Sequence, residues 1–215
     1  MQWSNAQKSR AAWAKLRSSP PTSILTEFNN VKHLVVNHRS SYGNGWQSLT
    51  LHGEKPHWTE AINHYPDHEN DVDWQYDYHW TEIAEACPVT VNYIKSLPFA
   101  RLQRVRFMLL RAGGLIDYHR DTHKMNLSPL NVSINMPDQC EFNTYDYLSE
   151  QPQKTIPFTD NSAFVVNIGH YHRVINRSNE DRLHMIVHGN YTHDFYNNPA
   201  NYVEEIDPEF KDLLQ

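Results

Sequence analysis

The sequence is short of three things: cysteine, excess positive charge and long apolar runs. Its 215 residues include only two cysteines, Cys87 and Cys140, so a zinc site built from thiolates is excluded by count. Lys and Arg number 19 against 25 Asp and Glu, which leaves no large basic surface for nucleic acid. No apolar run approaches the roughly 18–20 residues that cross a bilayer, and the N-terminal residues do not form a signal peptide. We therefore expect a cytoplasmic protein with reduced thiols, and neither nucleic acid nor membrane as a partner.

Histidine, by contrast, is plentiful. The chain has 14 of them, so nitrogen and oxygen ligands for a metal ion are abundant. A length of 215 residues suits one domain with a sizeable core. We therefore expect a single domain spanning residues 1–215 and look within it for a metal site.

Residues 1–98 are expected to form a helical and loop-rich part packed on the core. Helix formers fill residues 6–17, and a double proline follows them. Short strands are predicted at residues 31–36 and 46–51, and a long ordered loop at residues 53–80, where periodicity is weak. Two helices are predicted at residues 81–86 and 89–97, with Pro88 in the first turn of the second.

The character of the chain changes after Pro98, and residues 99–190 are expected to be mainly β. Gly113-Gly114 breaks the series, and polar turns separate strands spaced about ten residues apart, which indicates a sandwich or a barrel. Residues 191–215 are expected to be a tail with a short helix at 208–214. The predicted fold is thus a jelly roll with flanking helices. Its strands are expected at residues 104–110, 130–136, 140–144, 163–168, 170–176 and 183–187.

One constellation indicates chemistry. His119 and Asp121 stand two residues apart, so on an extended segment both side chains point the same way. A distant histidine on a neighbouring strand would complete a facial triad of two histidines and one carboxylate, which leaves positions open on a non-haem ferrous ion. His170 and His172 share one strand face, and we prefer His172 because Arg182 follows it by ten residues. Arg182 is placed to grip a carboxylate through two parallel hydrogen bonds.

Other interpretations of these residues exist. A His-x-Asp pair is common by chance in a chain with 14 histidines, and Arg182 is also compatible with an ordinary surface position. His119 and His123 have the spacing of a helical zinc pair, although Gly113-Gly114 and Pro129 argue against a helix there. Eight other histidines are expected on the surface or in loops, as solvated or capping groups: His33, His38, His52, His57, His64, His68, His79 and His193.

The chain resembles the aspartyl/asparaginyl β-hydroxylase family over residues 81–190. The resemblance is carried by TEIAEACP at 81–88, LPF at 97–99, RVRF at 104–107, LRAGG at 110–114, HRD at 119–121, NIGHYHRVIN at 167–176 and DRL at 181–183. These are iron(II)- and 2-oxoglutarate-dependent dioxygenases on a double-stranded β-helix, a cupin-like jelly roll. The resemblance implies iron bound by His119, Asp121 and His172, with Arg182 paired to the distal carboxylate of 2-oxoglutarate.

The resemblance also bears on the substrate. Ser128 and Asn131 match polar positions that help to hold the co-substrate. Asp121 is present, whereas the animal peptide β-hydroxylase has no carboxylate there, so the chain looks closer to the bacterial hydroxylases of free amino acids, the proline hydroxylases among them. The implied reaction consumes O2 and 2-oxoglutarate and hydroxylates an unactivated C–H bond.

Three hypotheses for the substrate and function stay open at the level of sequence. The first is a hydroxylase of a free amino acid or small derivative, the second a hydroxylase of Asp, Asn or another residue in a peptide or protein, and the third a non-catalytic jelly-roll module that binds metal. Candidate substrate contacts are Arg106 in a strand entering the core, Tyr118 beside the first ligand, and Trp46 in the N-terminal part. Core packing is the alternative for Tyr118 and Trp46, and a surface ion pair for Arg106.

Overall fold

The computed structural model describes residues 12–59, 77–121, 129–147 and 149–208. Its helices are α1 (Ser23–Val31), α2 (Glu82–Glu85), α3 (Pro88–Ser96) and α4 (His193–Asn197), with short 3-10 turns at Lys32–Leu34 and Pro199–Asn201. Its strands are β1 (Trp13–Leu16), β2 (Val36–Asn37), β3 (Trp46–Gly53), β4 (His79–Trp80), β5 (Phe99–Leu110), β6 (Leu115–His119), β7 (Leu130–Ser133), β8 (Cys140–Tyr145), β9 (Lys154–Thr155), β10 (Ser162–Val166), β11 (Tyr171–Asn176), β12 (Arg182–Tyr191) and β13 (Val203–Ile206).

The strands form two antiparallel sheets. The large sheet runs β13-β1-β10-β7-β12-β5-β3-β2, with β4 paired to β3, and the small sheet runs β6-β11-β8-β9. From β5 to β12 the chain passes back and forth between the sheets, so that β5, β7, β10 and β12 lie in one and β6, β8, β9 and β11 in the other. This is the topology of a double-stranded β-helix, and it confirms the predicted fold class. Strands from both flanking parts of the chain extend the large sheet.

The tight connection from β5 to β6 depends on glycine. Gly113 has a φ of +71°, which L side chains rarely adopt. A Cβ on Gly114 would lie 2.7 Å from the carbonyl oxygen of Arg111, so a side chain has no room there. The two glycines therefore turn the chain from the large sheet into the small one and aim β6 at the site described below.

The large sheet separates two apolar cores. On its outer face, side chains such as Leu49, Phe107 and Val132 pack against helices α1 and α3, and the rings of Phe28 and Phe107 meet edge to face at 5.1 Å. Between the sheets lies a second core, to which the large sheet contributes Trp46, Met108, Leu110, Phe164 and Val166 and the small sheet Ile116, Cys140, Phe142 and Val174. Alternation along each strand decides which face a residue serves.

A buried carboxylate fastens α3 to α1. Pro88 occupies the first turn of α3, where its missing N–H leaves no hydrogen bond unmade. Glu27 of α1 accepts hydrogen bonds from the backbone N–H groups of Val89 and Thr90 at 2.7 and 2.8 Å, and from the Thr90 hydroxyl at 2.7 Å. A negative charge at a helix N-terminus is favourable, so this contact locks the two helices together on the sheet.

Most of the predicted elements are confirmed, and two are wrong. The helix predicted at residues 6–17 is wrong where the structure describes it, because Trp13–Leu16 is a strand paired with both β10 and β13. The strand predicted at residues 31–36 is mostly helix, and only Val36 joins a strand. Most of the predicted loop at 53–80 and of the C-terminal helix at 208–214 lies outside the described residues. No helix in the described part of the chain is both long and apolar enough to cross a membrane.

Candidate metal centre

Two neighbouring strands of the small sheet bring the predicted ligands together. His119 is the last residue of β6 and pairs with His172 on β11, and their ring centroids lie 4.2 Å apart. The register of the two strands shifts between His172 and Val174. Asp121 follows in the next turn, where its backbone N–H donates to the carbonyl oxygen of Ile168 at 2.9 Å. One ligand atom from each of His119, Asp121 and His172 lies within 4.8 Å of the other two. Among the described residues this is the one group of three or more with the spacing of a metal site.

Backbone carbonyls fix the tautomer of both histidines. Nδ1 of His119 lies 2.6 Å from the carbonyl oxygen of Asp117, and Nδ1 of His172 lies 2.9 Å from that of His170. Because a carbonyl oxygen only accepts, each Nδ1 carries the proton and each Nε2 keeps its lone pair for a metal ion. His170 contributes only this backbone contact, since its own Nε2 is 3.0 Å from Oε1 of Gln153. The geometry therefore favours His172 over His170 as the ligand.

The site has a buried side and an open side. His172 is 4% exposed and stacks on Phe142 with ring centroids 5.4 Å apart. Burial, followed by the nearby charge of His119, lowers the pKa of His172 to about 4, so its imidazole is neutral near pH 7. Asp121 is exposed, and His119 is half-buried. Ligands thus approach one face, as a facial triad requires.

Arg182 begins β12 on the inner face of the large sheet and is 0% exposed. One of its terminal nitrogens, Nη1, lies 3.0 Å from Nδ1 of His184, and the guanidinium sits over the ring of Phe158 at 5.4 Å. Nε and Nη2 are buried without a hydrogen-bond partner among the described residues. Burying an unsatisfied cation is costly, and a carboxylate accepting both N–H groups would remove that cost. The donor set and these orphaned nitrogens together fit iron and a dicarboxylic keto acid.

The remaining predicted residues are dispersed. Asn131 is buried on β7, opposite Ile186 of β12, and donates weakly to the carbonyl oxygen of Pro129 at 3.5 Å. Ser128 lies outside the described residues. Tyr118 stacks on Tyr171 at 4.7 Å, and Tyr171 precedes the inward-facing His172, so the pair lies on the outer face of the small sheet. That position favours packing over substrate contact for Tyr118.

Arg106 and Trp46 both lie on the inner face of the large sheet. Arg106 is 4% exposed, so a surface ion pair is wrong for it, and its Nη1 contacts Nε2 of His38 at 3.2 Å. The His38 ring in turn lies against the Trp46 ring, with centroids 3.8 Å apart and planes tilted by 30°. Nε1 of Trp46 is buried and has no hydrogen-bond partner in the described part of the chain.

Sequence reasoning missed several buried histidines. His52 is buried in β3, contrary to the expectation of a surface or loop position, and its Nδ1 contacts the carbonyl oxygen of Gln103. His38 lies in a loop, as expected, and its Nδ1 accepts from the backbone N–H of Ser40 at 3.3 Å, but its side chain is buried. His184 and His188 on β12 are buried as well. The available signal was the period of two that places both on the face of Arg182. No such signal marks His38. It lies directly before a turn of the chain, and its ring contacts Trp46 of β3 and Arg106 of β5.

The chain matches a known protein family. The sequence profile of the family described as aspartyl/asparaginyl β-hydroxylase matches residues 11–190. No curated protein matches the chain. Similar solved structures include a prolyl-4-hydroxylase from Pseudomonas putida, with 10% identity, a TM-score of 0.49, and 85% of this chain and 94% of that chain covered.

Another is an oxidoreductase of the 2OG-Fe(II) oxygenase family from Burkholderia pseudomallei, with 12% identity, a TM-score of 0.43, and 79% of this chain and 81% of that one covered. Likenesses this distant assign no role to any residue. The family match spans most of the chain; it includes the stretch of resemblance at residues 81–190 and extends it towards the N-terminus to residue 11. The chain therefore belongs to the aspartyl/asparaginyl β-hydroxylase family and is a 2-oxoglutarate-dependent dioxygenase of the hydroxylase type.

Proposed function

We propose that the protein hydroxylates an unactivated C–H bond of a free amino acid or a small amino-acid derivative, with ferrous iron and 2-oxoglutarate. In this proposal His119, Asp121 and His172 hold the iron, and Arg182 binds the distal carboxylate of 2-oxoglutarate. The observation that carries it is the pairing of a three-ligand cluster with a fully buried guanidinium that has two unsatisfied nitrogens. The ligand cluster and the buried guanidinium do not stabilise the fold by themselves. Both are accounted for when a metal ion and a keto acid are bound.

When bound, the iron and its keto acid supply the oxidising chemistry, in which O2 is consumed and 2-oxoglutarate is converted to succinate and carbon dioxide. The side chains of the protein hold and orient these reactants. The carbonyl oxygens of Asp117 and His170 keep both imidazoles turned with Nε2 towards the metal position. Arg182 fixes one end of the keto acid, and Asn131, with Ser128, is proposed to supply further polar contacts to it.

The enclosed character of the inner face supports a small substrate. Arg106, His184 and His188 are all buried, and a peptide would need an open groove to reach them. A residue in a peptide or protein is the rival substrate. We also propose a cytoplasmic location, which agrees with the free and buried state of Cys87 and Cys140.

Two measurements test the proposed function. Anaerobic addition of Fe(II) and then 2-oxoglutarate should produce a weak visible charge-transfer band, because the keto acid chelates the iron. After O2 is admitted, succinate release should rise with at least one of the twenty free amino acids and stay at the basal rate with a pool of peptides. Absence of the band would contradict the proposed function and support the hypothesis of a non-catalytic metal-binding module. Stimulation by peptides alone would reassign the substrate to the rival class.

A further inference from the structure

Four buried side chains connect the metal centre to the arginine assigned to the co-substrate. His172 stacks on Phe142, with ring centroids 5.4 Å apart and planes 7° apart. Phe142 lies against Phe158 at 5.6 Å, and the guanidinium of Arg182 sits over the Phe158 ring at 5.4 Å. None of the four is more than 7% exposed. We call Phe142 and Phe158 the aromatic spacer, because they link a ligand on the small sheet to an arginine on the large one.

The aromatic spacer is held by its own backbone and by a neighbouring ring. The N–H of Ile156 donates to the carbonyl oxygen of Phe142 at 2.9 Å, and the N–H of Phe158 donates to that of Ile156 at 2.8 Å. The Phe158 ring also packs against Phe164 of β10, with centroids 4.8 Å apart. Because protein interiors are close-packed, a ring held in this way does not shift without moving its neighbours. The spacer therefore has a fixed length.

The groups at the two ends of the aromatic spacer are fixed as well. The imidazole of His172 is oriented by the carbonyl oxygen of His170 at 2.9 Å. Nη1 of Arg182 lies 3.0 Å from Nδ1 of His184, which accepts the hydrogen bond because a guanidinium only donates. That contact leaves Nε and Nη2 of Arg182, which have no hydrogen-bond partner among the described residues, as the edge that faces a carboxylate. Both anchoring points thus have a set position and a set orientation.

A keto acid that spans these two points must have the matching length. One end of 2-oxoglutarate chelates the metal ion and its distal carboxylate is assigned to Arg182, with two methylene groups between the keto carbon and that carboxylate. Oxaloacetate has one methylene fewer and 2-oxoadipate has one more. A misfit of a single methylene in an enclosed pocket costs about 10-fold to 200-fold in discrimination. A fixed separation of the anchors therefore distinguishes keto acids by length.

We infer that Phe142 and Phe158 set the separation between the metal centre and Arg182 and so select the length of the dicarboxylic keto acid. This inference rests on the proposed function and deepens it, because it assigns the specificity for the co-substrate to particular residues. Phe142 and Phe158 are positioning residues, since they act through His172 and Arg182. If they served only as core packing, their substitution would weaken all keto acids by the same factor.

The test is an anaerobic titration of the whole protein, loaded with Fe(II), with each of the three keto acids in fresh solution. The charge-transfer band reports binding without turnover. The unaltered protein should bind 2-oxoglutarate at least about tenfold more tightly than either oxaloacetate or 2-oxoadipate. In Phe142→Leu and in Phe158→Leu, the preference over at least one of these two acids should fall by at least about fivefold. The smaller side chain leaves a cavity into which the neighbouring groups relax, so the anchors lose their fixed separation.

Phe107→Leu is the matched control. Phe107 is a fully buried phenylalanine on the outer face of the large sheet, so the same substitution there costs stability without touching the aromatic spacer. Its preference among the three keto acids should equal that of the unaltered protein. Urea unfolding shows which variants are folded. If Phe158→Leu does not fold, Phe158→Met, which conserves more of the volume, takes its place with the same expected result.

The inference is overturned if the unaltered protein binds the three keto acids alike, or if the spacer variants weaken all three by the same factor. It is also overturned if Phe107→Leu changes the preference as much as they do. The proposed function fails in a different way, which is that no free amino acid stimulates succinate release after O2 is admitted. A preference among keto acids that still depends on Phe142 and Phe158 would then keep this inference and remove the proposed substrate.

Discussion

The two faces of the large sheet are made of alternate residues of the same strands and both bury apolar side chains, yet they differ in the charged groups that they bury. The outer face is apolar and packed by helices, with Phe107, Leu183 and Met185 among its buried side chains. The inner face shares a second apolar core with the small sheet and also buries Arg106, Arg182 and the imidazole of His184. Apolar burial stabilises the fold, whereas a buried guanidinium costs stability until an anion arrives. The buried arginines Arg106 and Arg182 lie on the inner face, so substitutions of these cations and of apolar residues on the outer face should have separable effects.

The largest effect on stability is expected on the outer face. Phe107→Ala should lower the free energy of unfolding by about 3–5 kcal/mol, because it removes a fully buried ring that meets Phe28. Binding of 2-oxoglutarate by the folded fraction should stay unchanged. Urea unfolding and a 2-oxoglutarate titration measure the two quantities. Tyr147→Ala is the control, since Tyr147 is 70% exposed and its loss should cost little. If Phe107→Ala weakened 2-oxoglutarate binding and left the free energy of unfolding unchanged, the two faces would not have separable effects.

The inner face should show the opposite behaviour. Arg182→Met should weaken 2-oxoglutarate by about 30-fold to 3,000-fold, since one partner of a buried charge pair is removed. Stability should hold or rise, because an uncompensated buried charge is removed as well. Iron binding should be nearly unchanged. Arg177→Met, in the neighbouring exposed turn, should affect none of these properties. Unchanged 2-oxoglutarate dependence in Arg182→Met would exclude the residue from this role.

The smallest effect concerns pH. Burial, then the charges of Arg182 and Arg106, lowers the pKa of His184 well below its usual value, so the folded protein keeps it neutral while the unfolded chain protonates it below about pH 6.5. Its contribution to stability is therefore complete above that pH and falls as the pH decreases, by up to about 1.4 kcal/mol per unit. His184→Gln should reduce this slope in urea unfolding. His79→Gln, at an exposed histidine, should keep it. If the unaltered protein, His184→Gln and His79→Gln all showed the same dependence of unfolding free energy on pH, His184 would not be neutral in the folded protein.

The sequence was informative where a local pattern decides the structure. Period-two alternation located the core strands, and the His-x-Asp spacing located two of the three clustered residues. It failed at Trp13–Leu16, where helix formers are overridden by pairing with β10 and β13, strands that lie far away in sequence. The same limit applies to His38, whose burial depends on contacts with Trp46 and Arg106. Interactions between distant segments have no local signature, so these features required the three-dimensional structure.

The central claim is that His119, Asp121 and His172 hold one ferrous ion, and anaerobic equilibrium dialysis with Fe(II) tests it most directly. The unaltered protein should bind one ion per chain, and alanine at any of these three positions should abolish tight binding. His170→Ala is the matched control, because His170 contributes only its backbone carbonyl and that group survives the change. Tight binding that is retained in His172→Ala or Asp121→Ala, or lost in His170→Ala, would contradict the assignment.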